Sequence, residues 1–309
     1  MNNLKSSGLM LAWGLVWNAI FITGALAAEE GGPLSVLSLG LLGGALLSLL
    51  LARSSGVKLR DPQTMALGCQ LGVLMGALGL GGLFSALSFI SPFWVMAVGA
   101  IFPLLSAVFG LPEKGGWRQL GLLTAYIGLI ILVGGPGSLD ETQSLGLFLA
   151  GLGVLSLSLG TVLYWARGRA RPAGGLAFWA SLSGAVFLLP AALVEGAGPG
   201  GLSLTGVLAL AVLVPALALA VNGHLGLNRG QLKSSVLYPF FVPLIGLLAG
   251  RLFLGLEIGF WEWAALPLLM LGCLGAGEVW LKLSPAAFPG RLGPEVKPGL
   301  DKPAEALRY

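Results

Sequence analysis

GLPEKGGWRQL, residues 110–120, interrupts a chain that elsewhere runs long distances without a charge, and LGLEIGFWEWA, residues 254–264, echoes it half a chain later. Glu113 and Glu257, Gly115 and Gly259, Trp117 and Trp261 each stand 144 positions apart. Three matches in eleven positions acquire meaning from what separates them. On either side lie apolar runs long enough to cross a bilayer, and the number of those runs sets how the two copies are related.

The 309 residues are 56% hydrophobic and 10% charged, with a mean hydropathy of +0.91, which places the chain outside the soluble globular class and in a membrane. A helix needs about 20 mostly apolar residues to cross the hydrocarbon. Runs of that length fall at 7–28, 33–52, 64–87, 91–111, 117–135, 143–166, 173–194, 202–227, 232–254 and 260–281. The expected fold class is therefore an all-α integral membrane protein of ten transmembrane helices. A signal peptide is the competing reading of the first run, since Lys5, an apolar stretch and Ala25-Leu26-Ala27 match its three regions. Trp13, Trp17 and Asn18 argue for a retained helix, because a disposable leader has no need of them.

Loop charges orient the chain. With the N-terminus inside, every one of the 17 basic residues except Arg251 falls on the inner side, while Glu29, Glu30, Asp140, Glu141 and Glu195 fall on the outer side. The net charge of +4 thus reports orientation and gives no support to a nucleic-acid partner. Both termini are expected in the cytoplasm, with the protein in the inner (plasma) membrane. The tail 283–309, with five prolines, mixed charge and no apolar period, reads as disordered.

Fifty glycines suit lipid, where small residues let helix backbones approach. Gly68, Gly72 and Gly76 share one face of the third run, and Gly246 and Gly250 one face of the ninth. They are read first as close helix packing and second as surfaces that slide. Cys69 and Cys273 sit singly inside runs and are expected as buried thiols, with neither a disulfide nor a metal site.

Ten runs divide into two sets of five, and an odd number per set turns the second copy upside down. The echo then has a cause: Glu113 closes the fourth run at the inner face and Glu257 the ninth at the outer face. Inverted repeats place a substrate near the midplane between the halves. The plain account of each Glu is a carboxylate at the start of the next helix, facing its positive dipole end. The expected organisation is a first five-helix repeat over 1–139, an inverted second repeat over 140–282, and the tail.

The run ALSFISPFWVMAVGAIFPLLSAVFGLPEKGGWRQLGLLTAYIGLIILVGG, 86–135, resembles the EamA repeat of the drug/metabolite transporter superfamily: an apolar helix with a central proline, an acidic turn, then a glycine-rich helix. LAWGLVWNAIF at 11–21 is similar to the family's first-helix opening, and LKSSVLYPFFVPLIGLLAGRLFLGLEIGFWEW at 232–263 follows as the second copy. The acidic turns depart from the family's Glu-Arg, being Glu113-Lys114 and Glu257-Ile258. The resemblance implies a ten-helix, two-repeat transporter.

No Asp, Glu, Lys or Arg lies near the centre of any run, which counts against phosphorylated cargo and against an acid in the first helix that trades protons for cations. What lies at depth is neutral or aromatic. Trp13, Trp17 and Asn18 in the first run, Ser106 in the fourth, Ser158, Thr161 and Trp165 in the sixth, Asn222 in the eighth and Tyr238 in the ninth are the candidate substrate-binding residues. Trp13 and Trp17 share a helix face, as do Ser158, Thr161 and Trp165. Rings of this kind stack aromatic groups or hold cations. The plain alternatives are lipid packing for the rings and a bond back to the helix backbone for the hydroxyls. His224 in the eighth run is the one group inside a run that titrates near neutral pH, and it is read either as a hydrogen-bonded neutral histidine or as a proton-coupling site.

The expected function is secondary transport by alternating access, exporting small neutral or zwitterionic metabolites such as amino acids; export of amphipathic or cationic drugs is the alternative. An enzyme is not expected: a Ser183–His224 dyad lacks any Gly-x-Ser-Gly context at Ser183, and no paired carboxylates occur near the centre of a run. A channel lacks a filter-like loop. The absence of GxxxxGK[ST] points to a gradient as the energy source. No cofactor is expected, and the partners are the substrate, the bilayer and, in a homodimer, a second copy of the chain.

Overall fold

Helix starts are written into the local sequence at two of the apolar runs. Asp140 accepts from the Gln143 N–H at 2.6 Å while the Gln143 side chain accepts from the Asp140 N–H, a reciprocal capping box that opens a helix at Glu141. Asp61 accepts from the Thr64 N–H at 3.1 Å and from its hydroxyl at 2.5 Å, and Pro62 occupies the first helical position, where its missing N–H costs nothing. The computed structural model describes residues 15–26, 32–57, 59–99, 101, 105, 120–121, 123–125, 127–128, 131, 140–168, 171–196, 204–225, 251–253, 255 and 259–276.

Among these residues the protein is all-helical and without strands. The helices are α1 Leu15–Leu26, α2 Pro33–Ser54, α3 Pro62–Ala86, α4 Pro92–Gly99, α5 Glu141–Gly168, α6 Ala173–Glu195, α7 Leu204–Leu225 and α8 Phe260–Ala276. The described helical residues between 120 and 131 belong to a further stretch that packs on α8, where Gly128 meets Leu268 and Leu269 and Gly272 meets Ala125. Four helices, α2, α3, α5 and α6, are long and apolar enough to cross a membrane. The expected bounds shift by up to two residues: α2 continues to Ser54, and α3 and α5 begin two residues earlier, at the positions their Asp caps dictate. Glu113, Glu257 and the tail 283–309 lie outside the described residues.

Ends are finished with care. After α2, Gly56 takes a φ of 67° and two backbone bonds, Gly56 N–H to Arg53 O and Val57 N–H to Ala52 O, close a Schellman motif that needs a left-handed residue at that point. The start of α2 has no cap of its own. The carboxylate comes instead from the far end of α6, with Glu195 Oε2 accepting from the Ser35 N–H at 3.0 Å.

Directions follow from which residues meet. Helices α2 and α6 are antiparallel, since Ser35 reaches the Ala192 carbonyl while Gly174 faces Ala52. Helix α7 runs parallel to α2, with Gly40 on Leu210 and Gly43 on Ala211. Helix α3 runs parallel to α6, with Gly68 on Trp179, Gly76 on Gly184 and Gly81 on Leu188, and antiparallel to α5, with Gly160 on Met75 and Gly82 on Leu149 and Gly153. The glycine face expected on the third run is thus the face that meets α6. The main core joins Trp17 and Phe21 of α1, Leu37 and Leu41 of α2, Leu83 and Phe84 of α3, Met96 of α4, Val154 and Leu157 of α5, Leu188 of α6 and Leu210 of α7. A smaller cluster seats Phe93 and Ala97 of α4 on Ala265, Leu266 and Leu269 of α8.

The two ends of this bundle differ in charge. One carries Arg53, Arg60, Arg167 and Arg171 with Asp61; the other carries Asp140, Glu141 and Glu195. At the basic end Arg171 bonds Asp61 at 3.2 Å and also Gln63, and the Trp179 Nε1–H donates to Leu59 O at 2.9 Å.

Candidate functional site

The four-residue spacing on α1 puts Trp17 and Phe21 on one face, where their rings meet edge to face with centroids 5.0 Å apart. Phe21 in turn lies 6.0 Å from Phe84 of α3. Two glycines make the room: a Cβ at Gly99 of α4 would stand 3.3 Å from the Trp17 ring, and one at Gly24 of α1 would stand 2.7 Å from Phe84. The result is a file of three aromatic rings crossing from α1 to α3. Trp17 and Asn18 are each 1% exposed, with the indole Nε1 and the amide Oδ1 buried among apolar side chains. Neutral polar groups in such surroundings cost less to bury than charges and retain directional hydrogen bonding.

The other candidates fall in several places. Ser158 and Thr161 of α5 are buried, and their hydroxyls donate to the carbonyls of Val154 at 2.8 Å and Leu157 at 2.9 Å, four residues back on the same helix. This is the backbone bond that competes with a binding role, and a hydroxyl so committed meets a ligand as an acceptor. Trp165, Asn222 and His224 lie on helices α5 and α7, but their side chains lie outside the described residues, as do Trp13, Ser106 and Tyr238 altogether.

Three serines bridge helices: Ser156 and Ser38, which the sequence did not single out, and Ser183, which it raised only as a nucleophile. Ser156 Oγ donates to Leu74 O of α3 at 2.7 Å, Ser183 Oγ to Cys69 O at 3.2 Å, and Ser38 Oγ to Ala185 O at 3.2 Å. Ser156 was findable: Gly153, Ser156 and Gly160 recur at spacings of three and four, and all three meet α3. Cys69 is a free thiol, but half-buried rather than buried as expected. Among the described residues no three His, Cys, Asp or Glu side chains come together as a metal site would require.

Among the described residues of α2, α3, α5 and α6, charge is confined to the ends. Asp61 is held below the usual carboxylate range, first by the Thr64 hydroxyl and then by the Thr64 N–H, with Gln63 and the Arg171 guanidinium adding to the effect. Asp140 is held low by the Thr142 hydroxyl and then the Gln143 N–H. Both carboxylates lie just before the first turn of a long apolar helix, where the dipole favours the ionised form.

No protein-family model matches the chain, and no curated protein matches it in sequence. A solved crystal structure of another protein superposes with a TM-score of 0.65 over 89% of this chain and 98% of that one, at 18% sequence identity. What the two share, across nearly the whole of both chains, is the helical fold.

Proposed function

We propose that this chain is a secondary transporter of ten transmembrane helices in two inverted five-helix repeats, carrying small neutral or zwitterionic metabolites of the amino-acid class by alternating access. The observation that carries the reading is a pair of helix crossings that exchange under one shift in numbering. Helices α2 and α6 begin at Pro33 and Ala173, 140 positions apart. Moving the Gly40–Leu210 contact by that shift, up for one partner and down for the other, leads to residues 180 and 70; the Gly43–Ala211 contact leads to 183 and 71. Ala180 and Ser183 both meet Gly72, within two positions of the expected partner. A twofold axis in the membrane plane would produce such a match and would also set α2 antiparallel to α6. Asn18 and Ser158, also 140 apart, are both buried polar residues.

Repeats of this kind set the substrate between the halves. In this reading Trp17, Asn18 and the ring file supply stacking and hydrogen bonding, Ser158 and Thr161 line the opposing half, and the uncharged interior selects cargo without net charge. The basic end of the bundle faces the cytoplasm of a plasma-membrane protein, with both chain termini on that side. The resemblance to EamA transporters points the same way, and export is the expected direction. The ring file favours amphipathic or cationic drugs as the second class of cargo.

A thermal-shift screen of the purified protein against amino acids, polyamines, sugars and cationic drugs tests the reading. It is paired with an Asn18→Cys variant, in a background with Cys69 and Cys273 replaced, probed by impermeant thiol reagents from each side of sealed vesicles. The expected result is stabilisation by a zwitterionic or amphipathic compound and labelling from both sides. A residue 18 reached from neither side, with no stabilising compound, overturns it.

A further inference from the structure

Helix α3 is continuous from Pro62 to Ala86, but its middle is not an α-helix. Gly72–Leu80 is bonded from i to i+5, and the Gly81 N–H still reaches the Gly76 carbonyl five residues back. Such geometry normally occurs as a single turn inside an α-helix and is frequent at functional sites. Here it extends over nine residues between two α-helical segments.

Three features around it belong together. The segment touches neighbours backbone to backbone on both flanks: a Cβ on Gly76 would lie 3.2 Å from the Gly184 Cα of α6, and one on Gly153 of α5 would lie 2.7 Å from Gly79 O. At these two crossings no side chains interlock to oppose rotation; beside them Met75 seats on Gly160 and Leu157 on Gly79. The segment is held from outside by the Ser156 hydroxyl on Leu74 O. Below it, at the basic end, the start of α3 is clamped by the Asp61 cap, the Arg171–Asp61 pair and the Trp179 bond to Leu59 O; above it, α3 stops at Ala86 in a short turn. Any change in twist is therefore delivered to Gly81–Ala86, which carries Phe84, the last ring of the file that begins at Trp17.

We propose that Gly72–Leu80 switches between π and α hydrogen bonding during the transport cycle, turning Gly81–Ala86 and driving Phe84 against the Phe21–Trp17 pair. The proposal rests on the transporter reading above. In the π form Leu74 O accepts along the ladder from residue 79 and from the Ser156 hydroxyl; in the α form its ladder donor becomes the Leu78 N–H, which turns the carbonyl away from Ser156. The Ser156 bond is thus a catch that favours the π form. Each residue rises about 1.5 Å in the α ladder and less in the wider π ladder, so on conversion the far end of α3 both turns and advances by the difference.

The test uses the full chain with Cys69 and Cys273 replaced, carrying spin labels at Ser88→Cys and Val194→Cys in phosphatidylethanolamine–phosphatidylglycerol nanodiscs. Both positions are exposed, Val194 to 90%, and the pair reports the end of α3 against α6. Two distance populations are expected in the otherwise unaltered protein. Adding Ser156→Ala should shift their ratio about threefold toward the α form, the worth of one interhelical hydrogen bond in a membrane protein. Deleting Leu78, which is 55% exposed, removes one residue from the wide segment and should leave the α population alone. A single population in both the parent and Ser156→Ala overturns the proposal, and so does a ratio that ignores Ser156→Ala. If the deletion fails to fold, Ser156→Ala decides. Labelling of Asn18→Cys from both sides, together with a single distance population, rejects the switch and leaves the transporter standing. Labelling from neither side, with no stabilising compound, rejects the transporter itself.

Discussion

Replacing Gly72 by Ala adds one methyl group at the crossing of α3 and α6. Its Cβ would lie 2.9 Å from the carbonyl carbon of Ala180 and closer still to the Ala180 oxygen and the Ser183 hydroxyl. Ordinary contact begins at 3.4 Å, and a backbone carbonyl cannot rotate aside as a side chain can, so the two helices must part by roughly 1 Å. Ser183 can turn away only by giving up its bond to Cys69 O. Overpacking of this sort costs about 1–3 kcal/mol, the lost bond about 0.6 kcal/mol, and the better helix propensity of Ala returns at most about 1 kcal/mol. The net effect is a destabilisation of about 1–3 kcal/mol, or several degrees in Tm at about 2–4 °C per kcal/mol. Gly151→Ala is the control, since nothing lies within 4 Å of its added Cβ on the outer face of α5. It should melt at or slightly above the parent. Melting in detergent, followed by fluorescence-detected gel filtration, gives both values. A Gly72→Ala protein as stable as Gly151→Ala refutes a backbone-to-backbone seam between α3 and α6.

Trp17→Ala removes a buried indole at the meeting of α1, α3 and α4 and should cost about 3–5 kcal/mol, seen as a large fall in Tm. Asn18→Leu keeps the volume and should leave the fold in place while weakening binding of a screened substrate by several-fold to about thirtyfold, through lost hydrogen bonds of about 0.5–1.5 kcal/mol each. Cysteines at Asp140 and Glu195 should react with an impermeant reagent from outside the cell and one at Arg60 should not; the opposite pattern reverses the orientation. Asp61 and Asp140 have carboxyls held below the ordinary range, so the stability they add is complete above an unfolded-state pKa of about 3.9 and is lost as the pH falls through their lower folded values. Melting of the parent should therefore fall below about pH 4, and the double variant Asp61→Asn, Asp140→Asn should lose part of that dependence.

Helical class and the starts of α2 and α6 were legible, and those of α3 and α5 to within two residues, because apolar runs of bilayer length end at prolines, glycines and charges. The glycine face of α3 was legible for the same reason, since Gly68, Gly72 and Gly76 leave one side of a helix bare. Ser158 and Thr161 read as a polar face, yet their hydroxyls turn back to Val154 and Leu157, because in a dry interior the nearest open acceptor is the helix's own carbonyl. Ser156, two residues away and on the opposite side, makes the bond between helices. The π segment left no trace in the pattern. GVLMGALGL is apolar or glycine at every position, so a period of five bonds and a period of four present the same face to lipid and to neighbours. Glu195 reads as a loop acid, and nothing near it in sequence announces that it caps a helix 160 positions away.

That borrowed cap bears on the order in which the chain is assembled. Helix α2 leaves the ribosome long before Glu195, and its long neighbours, α6 and α7, both come from the second half. Until they insert, its first N–H groups have no carboxylate and its glycines no surface to close on. The first half alone is thus an unfinished object, held in the bilayer by hydrophobicity and completed only when α6 threads back beside it. Cut into two polypeptides near residue 137, the protein should accumulate only when both pieces are made in the same cell, and each piece alone should be cleared as an orphan.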